Sequence, residues 1–304
     1  MKIWAVGGGK GGTGKSLVAN GLGFRLAERG FQVILVDLDF GGANQHTYCG
    51  IRKPATSLEQ FFENRRALES IALETRIPGL RLIPGNYNSP NTDSLTSTQK
   101  LKLFRHLKTL QADHVILDLG AGTQYDTLDT FLLADIKVGV IAPDALSTEN
   151  FYLFIKNLQY RLLNTVLSKV GMRDQAREIW KGRTLEGIAT VFDFIDHLRT
   201  LSDEFSELMT QEQARLSLSV ILNQVREYRQ VEMGLAVKSA VNKFFHMRAD
   251  FAGYIRYDKE LWHQFGQGVP PMQRGASIGL EHDLEVVTDN ILKTRKEAGH
   301  GTHG

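Results

Sequence analysis

A glycine-rich loop close to the amino terminus constrains the fold more than any other feature of the sequence. Its residues, Gly9-Lys10-Gly11-Gly12-Thr13-Gly14-Lys15-Ser16, satisfy the spacing G-x-x-x-x-G-K-[ST]. The apolar run 2–6 before the loop predicts a buried strand, and apolar residues at helical spacing over 16–29 predict a helix after it. Residues 33–36 predict a second buried strand. The first forty residues therefore indicate a β-α-β unit with parallel strands.

Five further β-rich runs follow, at residues 80–83, 115–117, 136–142, 218–222 and 251–255. Helical patterns separate most of them, and an alternation of strands and helices is typical of sheets covered by helices on both faces. The sequence predicts the α/β class, with a doubly wound, mostly parallel β-sheet flanked by helices. We expect one domain over residues 1–296, with ligands at the carboxyl ends of the strands.

A long interruption in this alternation predicts a helical insertion at about residues 151–217. Ile188, Phe192, Ile195 and Leu198 recur there at helical intervals. Residues 173–215 contain six Lys or Arg against nine Asp or Glu, a balance that does not favour binding to phosphate backbones. We expect the apolar stripe to cap the sheet, and the alternative is a groove for a protein partner.

Composition excludes several classes of protein. The only cysteine, Cys49, cannot form a disulfide within the chain, nor can it alone hold zinc or an iron-sulfur cluster. A net charge of +2 is too small to indicate a nucleic-acid partner. The sequence contains no apolar run of about 18 residues, the length that spans a bilayer. The first apolar run passes into glycines too soon for a signal peptide, so we expect a cytoplasmic protein.

The residue types of the loop suit the binding of a nucleotide and Mg²⁺. Glycines let backbone N–H groups turn towards phosphate oxygens, and the following helix adds the partial positive charge of its amino terminus. Lys15 is expected to pair with the β- and γ-phosphates. Ser16 is expected to place its hydroxyl on Mg²⁺, which bridges the same phosphates.

Three carboxylates follow predicted strands and are expected beside the loop. Asp37 and Asp39 close the second strand, where one of them could orient a water molecule for in-line attack. Asp118 closes the run 115–117 and suits the magnesium shell. We predict that Ser16, Asp37 and Asp118 form the metal site. Gly120 and Gly122 allow a backbone N–H to approach the γ-phosphate.

The loop resembles the deviant Walker A motif, K-G-G-x-G-K-[ST], of the MinD/ParA ATPases. The distinguishing residue of that motif is its first lysine, here Lys10. The resemblance implies that Lys10 reaches across a two-fold interface to the nucleotide of the partner subunit, so that two chains enclose two ATP molecules. It also implies that Lys10, Lys15 and Asp39 are the catalytic residues, with Asp39 positioning the attacking water.

Further segments carry the same resemblance. Residues 36–44, Val36-Asp37-Leu38-Asp39-Phe40-Gly41-Gly42-Ala43-Asn44, are similar to the first switch of the family, and Asp118-Leu119-Gly120-Ala121-Gly122 matches the second, D-x-x-A-G. Leu222-Asn223-Gln224 resembles the segment whose asparagine contacts adenine. The implied nucleotide contacts are Gly11, Gly12, Thr13, Gly14, Lys15, Ser16, Leu17, Gly122 and Asn223. Residues 253–258 resemble a G-x-I-P-x-D element, with Arg256 in place of the proline.

The nearest members of the group are MinD/FlhG-like, and the flagellar-number regulators of the FlhG/FleN type are close because they share the Gly42-Ala43-Asn44 style of first switch. The FlhG/FleN members usually carry an amino-terminal activator extension. The first strand begins here at Lys2, which weakens a flagellar assignment.

The resemblance implies a slow, ATP-hydrolysing molecular switch that dimerises in the ATP state and positions a cellular structure, such as a division site, flagellum or chromosome. A protein partner is expected to stimulate hydrolysis, and the inner membrane or a cell pole is a further location. Two alternatives stay open: a metabolic phosphotransferase or ligase of the same fold, and a nucleotide-dependent scaffold without significant turnover.

Two surfaces are candidates for contacts with a membrane or with DNA. Residues 280–296 carry an apolar stripe of Leu284, Val287 and Ile291 with acidic flanks, so we expect this helix to dock on its own core rather than on anionic lipid. A sparse basic region contains Arg226, Arg229, Lys238, Lys243 and Arg248. We interpret it as a solvated face, with non-specific DNA binding as the alternative. Residues 297–304 are expected to form a disordered tail.

Overall fold

The computed structural model describes residues 1–63, 66–85, 95–272 and 277–300, with side chains as far as residue 295. Its strands are β1 (Lys2–Gly7), β2 (Val33–Leu38), β3 (Leu73–Glu74), β4 (Leu80–Ile83), β5 (His114–Leu119), β6 (Ile136–Ile141), β7 (Leu218–Val225) and β8 (Ala249–Arg256). They form one sheet in the order β3-β4-β2-β5-β1-β6-β7-β8. Every neighbouring pair is parallel except β3 with β4. The predicted doubly wound, mostly parallel sheet is confirmed.

Helices cover both faces of this sheet. They are α1 (Lys15–Glu28), α2 (Gln45–Tyr48), α3 (Leu58–Phe62), α4 (Ser97–Leu107), α5 (Tyr125–Leu133), α6 (Ala145–Lys169), α7 (Arg173–Gly182), α8 (Val191–Leu201), α9 (Asp203–Ala214), α10 (Val231–Phe244), α11 (Lys259–Gly266) and α12 (Ile278–His300). Helices α1, α2, α11 and α12 bury their apolar residues against one face, and α3 to α10 against the other. Both faces of the strands are therefore apolar.

Strand β1 is buried on both faces, and the glycine loop follows its carboxyl end. Ile3 and Ala5 point into one core, and Trp4 and Val6 into the other. In the sheet, β1 lies between β5 and β6. The connection after β1 leads to β2 on one side, and the connection after β5 leads to β6 on the other. A crevice forms at the carboxyl ends of strands where the strand order reverses in this way. The glycine loop after β1 lies at that crevice.

The predicted helical stretch consists of the long helix α6 followed by α7, α8 and α9. Ile195 and Leu198 are buried, as is Phe205 on α9. Phe192 is half-buried, with its ring 5.1 Å from the ring of His246. The apolar stripe therefore lies in the core that covers the sheet, as predicted.

The carboxyl-terminal helix α12 docks on the protein's own core, as predicted. Leu284, Val287 and Ile291 are all buried. Arg29, the residue directly after α1, binds the acidic flank by ion pairs of 2.6 Å to Glu285 and 2.8 Å to Asp289.

The tail prediction needs a correction. Helix α12 continues to His300, so residues 297–300 are helical rather than a disordered tail. The reason lies in the local sequence, since Lys296, Glu297 and Ala298 are good helix formers. Residues 301–304 lie outside the described residues.

Candidate functional site

The glycine loop turns sharply between the end of β1 and the start of α1. Gly12 and Gly14 have φ angles of +78° and +86°, in the left-handed region where other residues are strained. A Cβ atom on Gly14 would lie 2.1 Å from Nδ2 of Asn223, which leaves no room for a side chain. Glycine at this position is required both by the backbone conformation and by the close approach of β7.

The end of β7 supports the loop from beneath. Nδ2 of Asn223 donates a hydrogen bond of 2.8 Å to the carbonyl of Thr13, and Nε2 of Gln224 donates one of 2.7 Å to the carbonyl of Gly12. Asn223 is buried, so the bond to Thr13 is shielded from water. The structure thus shows Asn223 as a residue that holds the loop, and its contact with adenine stays a prediction. The support that Gln224 gives to the loop was not predicted from the sequence.

Lys15 is a buried cation in the middle of the site. Its Nζ donates a hydrogen bond of 3.1 Å to the carbonyl of Lys10. Burial lowers the pKa of Lys15, and the charges of Asp118 and Asp39 partly offset this effect. A buried ammonium group next to inward-turned N–H groups is stabilised by an anion, which makes the loop suited to phosphate.

Lys10 lies at the surface of the site. Its Nζ is 3.1 Å from Oδ1 of Asp144, with 31% of the lysine side chain and 45% of the aspartate side chain exposed. The same Oδ1 accepts a hydrogen bond of 2.8 Å from the backbone N–H of Ser147 and so caps α6. An ion pair this exposed contributes at most about 1 kcal/mol, so Lys10 can leave Asp144 at little cost.

Two fully buried carboxylates lie side by side beneath the loop. Asp37 and Asp118 are register partners on the adjacent parallel strands β2 and β5. Gln45, the first residue of α2, contacts both: its backbone N–H donates to Oδ2 of Asp37 (3.0 Å) and its Nε2 to Oδ2 of Asp118 (2.8 Å). No pattern in the sequence pointed to Gln45, which is itself buried.

Burial and mutual repulsion make these carboxylates hard to ionise. Burial raises the pKa of Asp37, and the charge of Asp118 raises it further. Burial also raises the pKa of Asp118, although hydrogen bonds from Gln45 and Ser16 and the charge of Lys15 lower it. A cation between the two carboxylates would relieve both penalties.

The residues present fit magnesium. Oδ1 of Asp118 is buried and has no hydrogen-bond partner among the residues that the structure describes. The available donors are the hydroxyl of Ser16 and carboxylate oxygens, the type of ligand that Mg²⁺ prefers. Within the described ranges, no three His, Cys, Asp or Glu residues are grouped as a metal site. Ser16, Asp37 and Asp118 stay the predicted magnesium ligands, in a shell that water and phosphate would complete.

Asp39 borders a cavity between the two predicted switch segments. The cavity has a volume of about 350 Å³ and is lined by Asp39, Gly120 and Thr127, among others. Asp39 is half-buried, and a Cβ atom on Gly120 would lie 2.9 Å from its Oδ1. The backbone N–H of Asp39 donates to Oδ1 of Asp37 (3.2 Å), which ties it to the metal-site carboxylates. The geometry therefore leaves room for a water molecule beside Asp39.

The remaining predicted contacts lie on the same edge of the sheet. Gly11 is exposed at the tip of the loop, and Gly122 has a φ of +101° in the segment after β5. Leu17 is buried in the core under α1, so its backbone rather than its side chain faces the loop. Arg256 is bound to Asp283 on α12 (2.8 Å), and Asp258 caps α11 through the N–H of Glu260 (2.9 Å).

The predicted basic region is dispersed, and most of its charges have intramolecular partners. The guanidinium of Arg226 lies over the ring of Tyr257, and the ammonium group of Lys243 over the ring of Phe244. Arg229 pairs with Glu227 at 2.6 Å, and Arg248 with Asp250 at 3.6 Å.

A substitution of Asp118 tests how much its buried negative charge destabilises the folded protein. The pKa of Asp118 is raised on folding, so the folded protein holds this proton to higher pH, and stability falls as the pH rises between the unfolded and folded pKa values. Without nucleotide or magnesium, Asp118→Asn should raise the midpoint of thermal unfolding by a few degrees at pH 8 and by less at pH 4.5. Asp174→Asn, at a side chain that is 95% exposed, is the matched control. An equal gain at both pH values would contradict the raised pKa.

A parallel sheet whose glycine loop passes over a buried lysine and two buried carboxylates defines a nucleotide-binding fold of the phosphate-loop class. Comparison with known families identifies the group. The sequence pattern of the CbiA family, the CobQ/CobB/MinD/ParA nucleotide binding domain, matches residues 4–271. The chain belongs to this family, which confirms the predicted resemblance.

Individual relatives are similar over part of their length. The flagellum site-determining protein YlxH of Helicobacter pylori is 29% identical over 157 residues, which cover 51% of this chain and 53% of YlxH. The septum site-determining protein MinD of Synechocystis is 30% identical over 145 residues, 47% of this chain and 54% of that protein. The chain thus matches about half the length of these curated relatives.

Solved structures share the fold over nearly the whole chain. MinD complexed with Mg-ADP from Pyrococcus horikoshii superposes with a TM-score of 0.62 at 18% identity, covering 98% of both chains. The MinD of a MinC:MinD complex from Aquifex aeolicus gives a TM-score of 0.64 at 16% identity, covering 96% of both. Within the described residues, no helix is both long and apolar enough to cross a bilayer.

Proposed function

We propose that this protein is a Mg²⁺-dependent ATPase that works as a nucleotide-gated homodimer and positions a cellular structure. The observation that carries the proposal is the pair of lysines in one loop. Lys15 is buried beside Asp118, where it can serve the nucleotide of its own subunit. Lys10 lies at the surface on Asp144, where it can serve a second subunit.

The residues of the site divide the work of phosphoryl transfer to water. Backbone N–H groups over residues 11–16 and the start of α1 hold the phosphates of ATP, and Lys15 balances the charge of the β- and γ-oxygens. Ser16, Asp37 and Asp118 would hold magnesium, which when bound would neutralise negative charge on the transferred phosphoryl group. Asp39 orients a water molecule in its cavity. The backbone N–H of Gly122 contacts the γ-phosphate and reports its loss.

The ion pair between Lys10 and Asp144 gives the dimer its nucleotide dependence. In a single chain Lys10 is bound to Asp144, at 3.1 Å and partly exposed. A triphosphate on the partner subunit carries more negative charge than one carboxylate and offers several charge-assisted bonds, whereas the exposed pair with Asp144 contributes little. ATP in the neighbouring site therefore draws Lys10 across the interface, and loss of the γ-phosphate favours its return.

Sizing chromatography with light scattering tests this proposal. With Mg-ATP and a slowed turnover the protein should elute as a dimer, and with ADP as a monomer. Lys10→Ala should bind ATP but stay monomeric, because the contact across the interface is lost. Lys108→Ala removes an exposed lysine directly after α4 and should dimerise normally. A Lys10→Ala protein that dimerises like the parent would refute the role of Lys10.

The relatives suggest what the switch acts on. The similar proteins are named for the sites of flagella and septa, so we infer a cytoplasmic regulator of position whose hydrolysis is stimulated by a protein partner. A peripheral membrane contact through α12 is not favoured, because its apolar stripe is buried in the core. Non-specific DNA binding is not favoured either, because Arg226, Arg229, Lys243 and Arg248 have intramolecular partners.

Measurements of phosphate release separate this function from its alternatives. A switch releases phosphate from ATP with no added acceptor, and the rate rises with the partner. A phosphotransferase or ligase needs a small-molecule acceptor for turnover. A scaffold binds ATP without turnover under either condition.

A further inference from the structure

A second cavity lies away from the nucleotide site, between α1, α2, the turn before β4 and the segment that ends at Met272. Its volume is about 540 Å³, within the range of small-molecule sites. The walls are mostly apolar, formed by Phe24, Ala27, Tyr48, Ile77, Pro78 and Met272, among others. We call it the α1–α2 cavity. Such a lining suits the apolar body of a ligand.

The charged side chains at the cavity mouth indicate which polar group the ligand carries. Of the two charged side chains that line the cavity, Glu28 is bound to Arg25 on the same helix at 2.5 Å. Arg76 is exposed, and among the residues that the structure describes no hydrogen bond or ion pair engages its guanidinium. A guanidinium binds carboxylates with paired hydrogen bonds. Arg25 is shared between Glu28 and Glu281 (3.3 Å) and adds no free positive charge. Arg76 is therefore the lining cation that can bind an acid.

Contacts through α2 connect this cavity to the metal-site carboxylates. Tyr48 and Cys49 line the cavity, and Sγ of Cys49 accepts a hydrogen bond of 3.3 Å from Nδ2 of Asn20. The same nitrogen donates to Oε1 of Gln45 at 3.2 Å. Gln45 in turn donates to Asp118 at 2.8 Å. A shift of the cavity wall would therefore move the residue that orients both carboxylates.

We propose that the α1–α2 cavity binds a carboxylic acid with an extended apolar body, whose carboxylate pairs with Arg76, and that α2 couples its occupancy to nucleotide affinity. The binding itself is independent of the proposed ATPase function. The coupling rests on that function. Because coupling between two sites is reciprocal, either ligand changes the affinity of the other by the same factor.

Calorimetric titration of the full chain without nucleotide tests the binding, with decanoate as the probe and decanol as its uncharged counterpart. Decanoate should bind about fivefold more tightly than decanol, because one exposed charge-assisted pair is added. Arg76→Gln should remove this advantage and leave the affinity for decanol unchanged. Arg105→Gln, at an exposed arginine on α4, should alter neither affinity.

A change that fills the cavity provides an independent check. Ala27→Leu places a larger side chain in the cavity and should abolish binding of both probes. Should this variant fail to fold, Ile77→Glu at the half-buried rim supplies a carboxylate for Arg76 and should weaken binding of decanoate alone. Absence of decanoate binding to the parent protein, or equal decanoate binding to the parent and to Arg76→Gln, would overturn the proposal.

The coupling is measured as the affinity for Mg-ADP with and without saturating decanoate. We expect a change of about threefold or more, in the range of ordinary coupling free energies. An unchanged affinity would refute the coupling and leave the binding site intact. Failure of the proposed ATPase function would look different, as a protein that binds no nucleotide even without decanoate.

Discussion

Replacing Lys15 by alanine should weaken the binding of ATP by on the order of a hundredfold or more, since one cation serves two phosphate groups through charge-assisted bonds. The effect is large because Lys15 is buried, which leaves few water molecules to take its place beside the phosphates. Calorimetric titration with a non-hydrolysable ATP analogue and magnesium measures the loss. Far-ultraviolet circular dichroism should show an unchanged fold.

A matched lysine separates this effect from a general loss of positive charge. Lys53→Ala removes an exposed lysine outside the loop and should bind the analogue as tightly as the parent protein. Lys15→Arg keeps the charge but places a larger, planar group in a buried position, so it should restore little of the affinity. Binding by Lys15→Ala at the parent affinity would remove the loop from the nucleotide site.

The sheet could be predicted from the sequence because its parallel strands are buried on both faces. Runs such as Val33–Leu38 and His114–Leu119 are apolar nearly throughout and stand out from the surrounding sequence. The antiparallel edge strand β3 was missed. Leu73–Glu74 has only two residues, too few for any periodicity, and its pairing with β4 is decided by tertiary contacts.

Site residues could be predicted where they share one loop or directly end an apolar run. The spacing of Lys10, Lys15 and Ser16 is fixed by one loop, and Asp37 and Asp118 each end an apolar run. Their closeness to one another follows from the topology, since β2 and β5 are adjacent and parallel. The sequence therefore carried both the residue types and the edge of the sheet where they meet.

The supporting residues could not be predicted, because their partners are distant in the chain. Asn223 is 210 positions from Thr13, and Asp144 is 134 positions from Lys10. Gln45 is separated from Asp118 by 73 positions. An amide or carboxylate of this kind has no distinctive local pattern, and only the folded backbone brings it to the loop.

Asp39→Ala should bind ATP normally and hydrolyse it about a hundredfold more slowly, the usual scale for loss of a group that acts as a general base. The reason that hydrolysis is affected and binding is not lies in the position of Asp39. Asp39 borders the cavity between the switch segments, whereas Lys15, Ser16 and the loop N–H groups that bind phosphate are unchanged. Because hydrolysis releases the dimer in the proposed mechanism, the variant should also accumulate as a dimer when Mg-ATP is added. Single-turnover phosphate release and light scattering measure the two effects on one sample.

Thr127→Ala is the appropriate control, because Thr127 lines the same cavity but carries no carboxylate. It should hydrolyse ATP at close to the parent rate, since enlarging the cavity alone does not remove the group that orients water. If Asp39→Ala turns over ATP as fast as Thr127→Ala, a different residue positions the water. Asp37 would then be the nearest alternative, because its Oδ1 already accepts the N–H of Asp39 at 3.2 Å. Such a result would move the attacking water towards the metal-site carboxylates and leave the binding roles of Lys10 and Lys15 unchanged.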